Sequence, residues 1–111
     1  MNPLPITPPQ HEALNEIKRR VRERFLVVDI LLYGSGARGE ADEESDLDLL
    51  IVTAQQLTRF KRHEITDIVF EVNLQHDTNF STLVVDQKTW ETGMLSVLPL
   101  RDEIMRDGIR V

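Results

Sequence analysis

Three short runs of aliphatic and β-branched residues constrain the fold of this chain most strongly. Their composition predicts mostly buried strands, each bounded by polar or glycine-containing segments. The runs are LVVDILLYG (26–34), LDLLIV (47–52) and FSTLVVD (80–86). Because helical patterns alternate with them, the sequence predicts a small α/β domain, with a three-stranded mixed sheet covered by helices on one face.

Amphipathic and polar segments around these runs predict the helices. They span residues 11–25, about 54–76, 87–91 and 99–107, and Gly93 and Gly108 follow the last two. The apolar residues of the second helix fall roughly on one side: Leu57, Phe60, Ile65, Ile68, Val69, Val72 and Leu74. Residues 1–9 hold four of the five prolines, so we expect an extended arm there and the domain over residues 10–111.

Length and composition bound the class of protein. A chain of 111 residues fits one domain, and the lack of cysteine excludes disulfides and thiolate metal sites. No apolar run approaches the roughly 18 residues of a membrane span. The first residues lack a signal-peptide pattern, so we expect a cytoplasmic protein with no membrane partner. The net charge of -6 argues against direct nucleic-acid binding.

Polar residues that could form a metal–nucleotide site lie between the first two predicted strands. Residues i and i+2 of a strand share a face, so Asp46 and Asp48 point the same way, with Cα atoms roughly 6.5–7 Å apart. Paired carboxylates suit Mg²⁺, which often binds one or two carboxylates together with substrate phosphates. The turn Gly34–Ser35–Gly36 lets the backbone approach an anion closely, and Arg38 follows as a candidate phosphate ligand.

Each part is common by itself, because an Asp-x-Asp pair is usually solvated and Gly-Ser-Gly is usually a turn. The ordered combination is more specific: Gly-Ser-x-Ala-Arg-Gly, a short acidic loop, then Ser-Asp-x-Asp-Leu. The stretch GSGARGEADEESDLDLLIV (34–52) resembles the signature of the minimal nucleotidyltransferases, small members of the DNA polymerase β superfamily. The ending PLRDEIMRDGIRV (99–111) is similar to their C-terminal tail.

The resemblance implies a site and a reaction. A nucleoside triphosphate would bind with its phosphates at Gly34 and Ser35, with Arg38 and Ser45 as further nucleotide contacts. Asp46 and Asp48 would be the catalytic residues and would hold two Mg²⁺ ions. The group transferred would be a nucleoside monophosphate, most commonly AMP from ATP, and the acceptor would be a protein or a small molecule.

The resemblance also implies partners. Many minimal nucleotidyltransferases pair with a small helical HEPN protein, a ribonuclease toxin that they neutralise as antitoxins and in some cases adenylylate. A domain of this size lacks the second half with which larger nucleotidyltransferases grip their acceptors. We therefore expect it to act in a complex, with a helical HEPN-type partner or as a homodimer.

One departure concerns the third carboxylate, which active superfamily members carry on the third strand. Here the corresponding position falls near Ser81. Asp77 precedes this strand, Asp86 ends it and Glu71 belongs to the preceding helix, so none fits well. Glu40 or Glu44 of the acidic loop is a further candidate. The general-base role is therefore unassigned.

Two functions stay open on the sequence alone. The intact Gly-Ser and Asp-x-Asp elements favour a working Mg²⁺-dependent nucleotidyltransferase. Ser81 in place of an acid, and Gly36 where the family often has a large basic or aromatic residue, favour a weak or inactive fold that neutralises a partner by contact.

Overall fold

The computed structural model describes residues 4–39, 42, 45–92 and 99–111. The order of elements follows the predicted alternation. The elements are α1 (Pro8–Arg24), β1 (Val27–Tyr33), a 3₁₀ turn (Gly34–Gly36, the glycine turn), β2 (Leu47–Thr53), α2 (Arg59–His76), β3 (Phe80–Asp86), α3 (Gln87–Thr92), α4 (Pro99–Asp107) and β4 (Ile109–Arg110). In the described parts of the chain, no helix is long and apolar enough to cross a membrane.

The sheet is mixed, as predicted, but it has four strands rather than three, in the order β3-β2-β1-β4. β1 runs antiparallel to β2 and to β4, and β2 runs parallel to β3. The strand that the sequence missed is β4, which has only two residues: Ile109 pairs with Leu32 and Arg110 with Leu31. Two residues carry no alternating pattern, so periodicity could not predict them.

Helices cover both faces of the sheet, so the prediction of one covered face is wrong. On one face, buried residues of α1 and α2 pack against Leu49 and Ile51 of β2. On the other, Ile104 of α4 is fully buried with Leu50 and Val52 of β2, and Trp90 packs beside them. The continuous apolar run of β2 is the sequence feature that goes with burial on both faces.

The first helix begins earlier than predicted. Thr7 is its N-cap: the Thr7 Oγ1 accepts from the backbone N–H of Gln10 at 3.3 Å, and the Gln10 Oε1 accepts from the N–H of Thr7 at 2.8 Å. Pro8 therefore lies at the first helical position, where its missing N–H costs nothing. The predicted arm of residues 1–9 thus already contributes to the helix, and Leu4 and Ile6 ahead of it pack against the core.

The second helix begins at Arg59, five residues later than predicted, with Thr58 as its N-cap. Phe60 is 84% exposed and Leu74 is 70% exposed, whereas Ile65 is fully buried. At 3.6 residues per turn, these two residues lie about 140° and 180° around the helix from Ile65. The prediction that they share its buried side is therefore wrong, although Ile65, Ile68, Val69 and Val72 are buried as expected.

Candidate active site

The glycine turn brings the backbone against one of the paired aspartates. Gly34 has a φ of 73°, and a Cβ at this position would lie 2.9 Å from the Asp48 Oδ2. The carbonyl oxygen of Gly34 accepts from the backbone N–H groups of Ala37 at 3.1 Å and Arg38 at 3.2 Å. The turn therefore needs glycine twice over at residue 34, for its left-handed conformation and for the space beside Asp48.

The third residue of the turn explains one departure from the family pattern. Gly36 is buried, and a Cβ there would lie 2.7 Å from the Leu47 Cδ2 and 3.3 Å from the Leu32 Cδ1. Both leucines are fully buried, so neither can move aside without disturbing the core. A larger side chain at residue 36 would therefore require repacking here.

The sheet aligns three polar side chains in one row. Tyr33 of β1 lies opposite Asp48 of β2, and Asp48 lies beside Ser81 of β3. Asp46 is exposed and sits two residues before Asp48, just ahead of β2. The sequence singled out Asp46 and Asp48 as candidates but not Tyr33, because a tyrosine that ends an apolar strand is typical of a core residue.

Burial and neighbouring carboxylates raise the pKa values of two residues in this row. The pKa of Asp48 is raised by burial first, then by the charges of Asp46 and Glu103. The pKa of Tyr33 is raised by burial first, then by Asp48 and Glu103. A cation bound at this point would offset the repulsion between these carboxylates.

Arg38 follows the glycine turn, and its guanidinium contacts two carboxylates of α4. Its Nη1 is 3.3 Å from the Glu103 Oε1 and 3.8 Å from the Asp107 Oδ2. Sequence reasoning missed Glu103, which comes from a segment 65 residues away. The sequence indicated a helix over residues 99–107 and a family resemblance of the C-terminal tail, but no contact between Glu103 and Arg38.

Ser45, a further nucleotide contact that the resemblance implies, forms hydrogen bonds with Asp42. The Ser45 Oγ accepts from the backbone N–H of Asp42 at 2.9 Å and donates to the Asp42 Oδ1 at 3.0 Å. Its hydroxyl thus helps to close the acidic loop. The side chain of Ser35, and Glu40 and Glu44 entirely, lie outside what the structure describes.

Among the described carboxylates, none of Asp77, Asp86 and Glu71 occupies the position beside Asp48 in the sheet. Ser81 occupies the position beside Asp48 in the β-sheet register, as the sequence predicted. Asp86 lies five residues further along β3, roughly 16 Å away, and its carboxylate caps Thr89 of α3. Asp77 ends α2 with a φ of 56°, and Glu71 pairs with Arg20.

The carboxylates of this site suit a metal ion that binds together with the phosphates of a nucleotide. Among the described residues, no group of three or more His, Cys, Asp or Glu side chains could hold a metal ion. Mg²⁺ does not need such a cage, because it usually binds one or two carboxylates plus substrate phosphates and water. Asp46 and Asp48, beside the glycine turn, would supply two carboxylates of this kind.

Comparison with known proteins shows which family the chain resembles. The family profile described as a nucleotidyltransferase domain matches residues 14–104. A candidate protein adenylyltransferase of Methanocaldococcus jannaschii is 33% identical over 82 residues, which cover 74% of this chain and 76% of that protein. The protein adenylyltransferase MntA of Thermococcus cleftensis is 53% identical over 34 residues, 31% of this chain and 34% of that protein.

A solved structure shows the same fold. It is the complex of a tri-AMPylated Shewanella oneidensis HEPN toxin with an MNT antitoxin. The matched chain of that complex is 18% identical to this one, and the two superpose with a TM-score of 0.53. The match covers 91% of this chain and 70% of that chain. The chain therefore belongs to the nucleotidyltransferase family, and within it to the minimal nucleotidyltransferases.

Proposed function

We propose that this protein is a Mg²⁺-dependent nucleotidyltransferase that transfers AMP from ATP to a hydroxyl group of a protein acceptor. The observation that carries the proposal is the close approach of the glycine turn to the second aspartate: a Cβ at Gly34 would lie 2.9 Å from the Asp48 Oδ2. A phosphate-binding turn and a metal-binding carboxylate then meet at one point. The names of the relatives, protein adenylyltransferases, support AMP as the group transferred.

The residues of this chain have distinct roles in the proposed reaction. Gly34 and Ser35 present backbone N–H groups to the phosphates, Arg38 neutralises phosphate charge, and Asp46 and Asp48 hold up to two Mg²⁺ ions. When bound, Mg²⁺ supplies positive charge for the attacking and leaving oxygens. The acceptor oxygen bonds to the α-phosphorus, the bond to pyrophosphate breaks, and the acceptor proton passes to water.

We further propose that the acceptor belongs to a helical partner protein of the HEPN type. This proposal is supported by the complex described above, in which the HEPN toxin is tri-AMPylated and the antitoxin has the fold of this chain. A homodimer is the alternative assembly.

A second candidate function is favoured by Ser81. In this chain β3 places a hydroxyl beside Asp48 instead of a third carboxylate, so metal binding would be weaker and no base is supplied from β3. A protein with such a site could neutralise its partner by contact alone. This candidate predicts partner binding that survives the loss of both aspartates.

Calorimetric titration tests the first function. ATP is added to the wild type with and without Mg²⁺, and to the Asp46→Asn/Asp48→Asn variant. The proposal expects binding that depends on Mg²⁺ and is lost in the variant. Wild-type protein that binds no ATP in either condition would refute it.

Transfer itself is measured with ATP labelled at the α-phosphate, added with the protein to an extract of its own host. The first function expects a labelled protein band with the wild type and none with the double variant. Binding of ATP without any labelled product would instead support the second function.

A further inference from the structure

We propose that α4 is a positioning element of the active site, and that its carboxylates Glu103 and Asp107 hold Arg38 in place for the phosphates of the nucleotide. This inference rests on the proposed nucleotidyltransferase function. It adds two residues that neither the sequence signature nor the paired aspartates would identify.

The contacts come from one side of one helix. Glu103 and Asp107 are four residues apart, so they project from the same face of α4. Both reach the same atom, the Arg38 Nη1, at 3.3 Å and 3.8 Å. The exposed fractions of the two carboxylate side chains are 36% and 21%, so the ion pairs are partly shielded from water.

The helix that carries these carboxylates is itself fixed to the sheet. Ile104, next to Glu103, is fully buried on the second face of the sheet. A Cβ at Gly108 would lie 2.4 Å from the carbonyl oxygen of Ile104, so only glycine allows the chain to turn here into β4. β4 then pairs with β1, and the Arg110 Nε contacts the Asp29 carboxylate at 3.0 Å. The far ends of α4 and β4 are therefore tied to the strand that leads into the glycine turn.

Arg38 is thus held at both ends. Its backbone N–H donates to the carbonyl oxygen of Gly34, the residue against Asp48, and its guanidinium meets α4. A guanidinium carries five donors in a rigid fork, so a carboxylate on one side of it leaves the geometry suited to a phosphate on another. An arginine that is already ordered loses less side-chain entropy when the nucleotide binds.

Competition between these carboxylates and the phosphates for Arg38 would change nucleotide binding in the opposite direction. If the two carboxylates compete with phosphate for Arg38, removing one of them should tighten nucleotide binding. If they position Arg38, removing one should weaken binding. The direction of the change therefore decides between the two effects.

The test uses substitutions of Glu103 in the full chain, with Mg²⁺-ATP as the probe. Glu103→Ala should weaken binding by about two- to fivefold, the range expected for one partly exposed ion pair. Glu103→Gln keeps an oxygen that can accept from Arg38, so its loss should be smaller. Transfer assays should show the change in KM for ATP, with kcat unchanged.

Two controls separate positioning from general effects. Asp102→Ala removes the same charge from an exposed site on the same helix, and it should leave ATP affinity unchanged. In an Arg38→Ala background, Glu103→Ala should have no further effect, because the two residues act as a unit. Alanine is the best helix former, and thermal unfolding of each variant verifies that α4 remains folded.

The outcomes distinguish this inference from the proposed function. Wild-type protein that binds Mg²⁺-ATP, with Glu103→Ala binding equally well or more tightly, overturns positioning and leaves the function intact. A loss of affinity that persists in the Arg38→Ala background also overturns it. Wild-type protein that does not bind Mg²⁺-ATP at all refutes the function, and positioning falls with it.

Discussion

Substituting Gly34 by alanine should damage function far more than stability. Gly34 has a φ of 73°, and its added Cβ would lie 2.9 Å from the Asp48 Oδ2. A φ in the left-handed region strains the backbone of any residue other than glycine. The added Cβ pushes a carboxylate away from the place where we propose that it binds metal. Gly34→Ala therefore combines two separable effects.

A second glycine of the chain allows them to be separated. Gly39 has a φ of 77°, nearly the same as Gly34, but among the described residues a Cβ there would meet only the Pro5 Cβ, at an ordinary 3.7 Å. Gly39→Ala thus carries the same backbone strain without the contact to Asp48. The strain is about 1–2 kcal/mol in each variant. For a domain of this size, each kcal/mol lowers the melting temperature by roughly 4–8 °C.

The assays are thermal unfolding without nucleotide and calorimetric titration with Mg²⁺-ATP. We expect both variants to melt earlier than the wild type by similar amounts. Only Gly34→Ala should lose Mg²⁺-dependent ATP binding, since an oxygen atom at 2.9 Å from the new Cβ must move. If Gly39→Ala lost binding to the same degree, or if Gly34→Ala retained it, the contact between the turn and Asp48 would not matter for the site.

Three further predictions follow from the same geometry. The raised pKa of Asp48 means that the folded state holds this proton more tightly than the unfolded chain, so without metal its contribution to stability falls as pH rises from 3.8 through the raised pKa. Asp48→Asn should therefore exceed the wild type in free energy of unfolding at pH 7, and urea titrations should show this difference vanish in acid. Ile104→Ala, at a fully buried site, should cost about 2–5 kcal/mol in the same titrations. Ser81→Asp places a carboxylate beside Asp48 and should destabilise the metal-free protein while tightening Mg²⁺-ATP binding, whereas Ser81→Ala should do neither.

Much of the fold could be predicted because its strands are long and strongly patterned. The three apolar runs became β1, β2 and β3, and the sheet is mixed as expected, with β2 antiparallel to β1 and parallel to β3. The errors lie where the local pattern is weak. The two residues of β4 form a strand because they pair with Leu31 and Leu32 of β1. Phe60 and Leu74 are exposed because they lie about 140° and 180° around α2 from the buried Ile65.

In the candidate site too, residues close together in sequence could be predicted, whereas the contact between the distant residues Arg38 and Glu103 could not. Elements close together in sequence, the glycine turn and the Asp-x-Asp pair, could be identified because their spacing is short and ordered. The register of β3 even agrees with Ser81 as the position beside Asp48. Glu103 could not be identified, because no local pattern connects a helical glutamate with an arginine 65 residues earlier.

On β3 of this chain, Ser81 rather than an acidic residue lies beside Asp48. A third acid on β3 would lie in the row of Asp48, in the layer of the sheet itself. In this chain the row instead contains Tyr33 and Ser81, and the nearby negative charge acting on Asp48 comes from Asp46 and from Glu103 in the layer above. A carboxylate in that layer is positioned by helix packing rather than by strand register. If Glu103 acts by positioning Arg38, as proposed, a carboxylate at residue 81 cannot replace it, and the effects of Ser81→Asp and Glu103→Ala on ATP affinity should be additive. A Ser81→Asp substitution that tightens binding more in the Glu103→Ala background than in the wild type would contradict this.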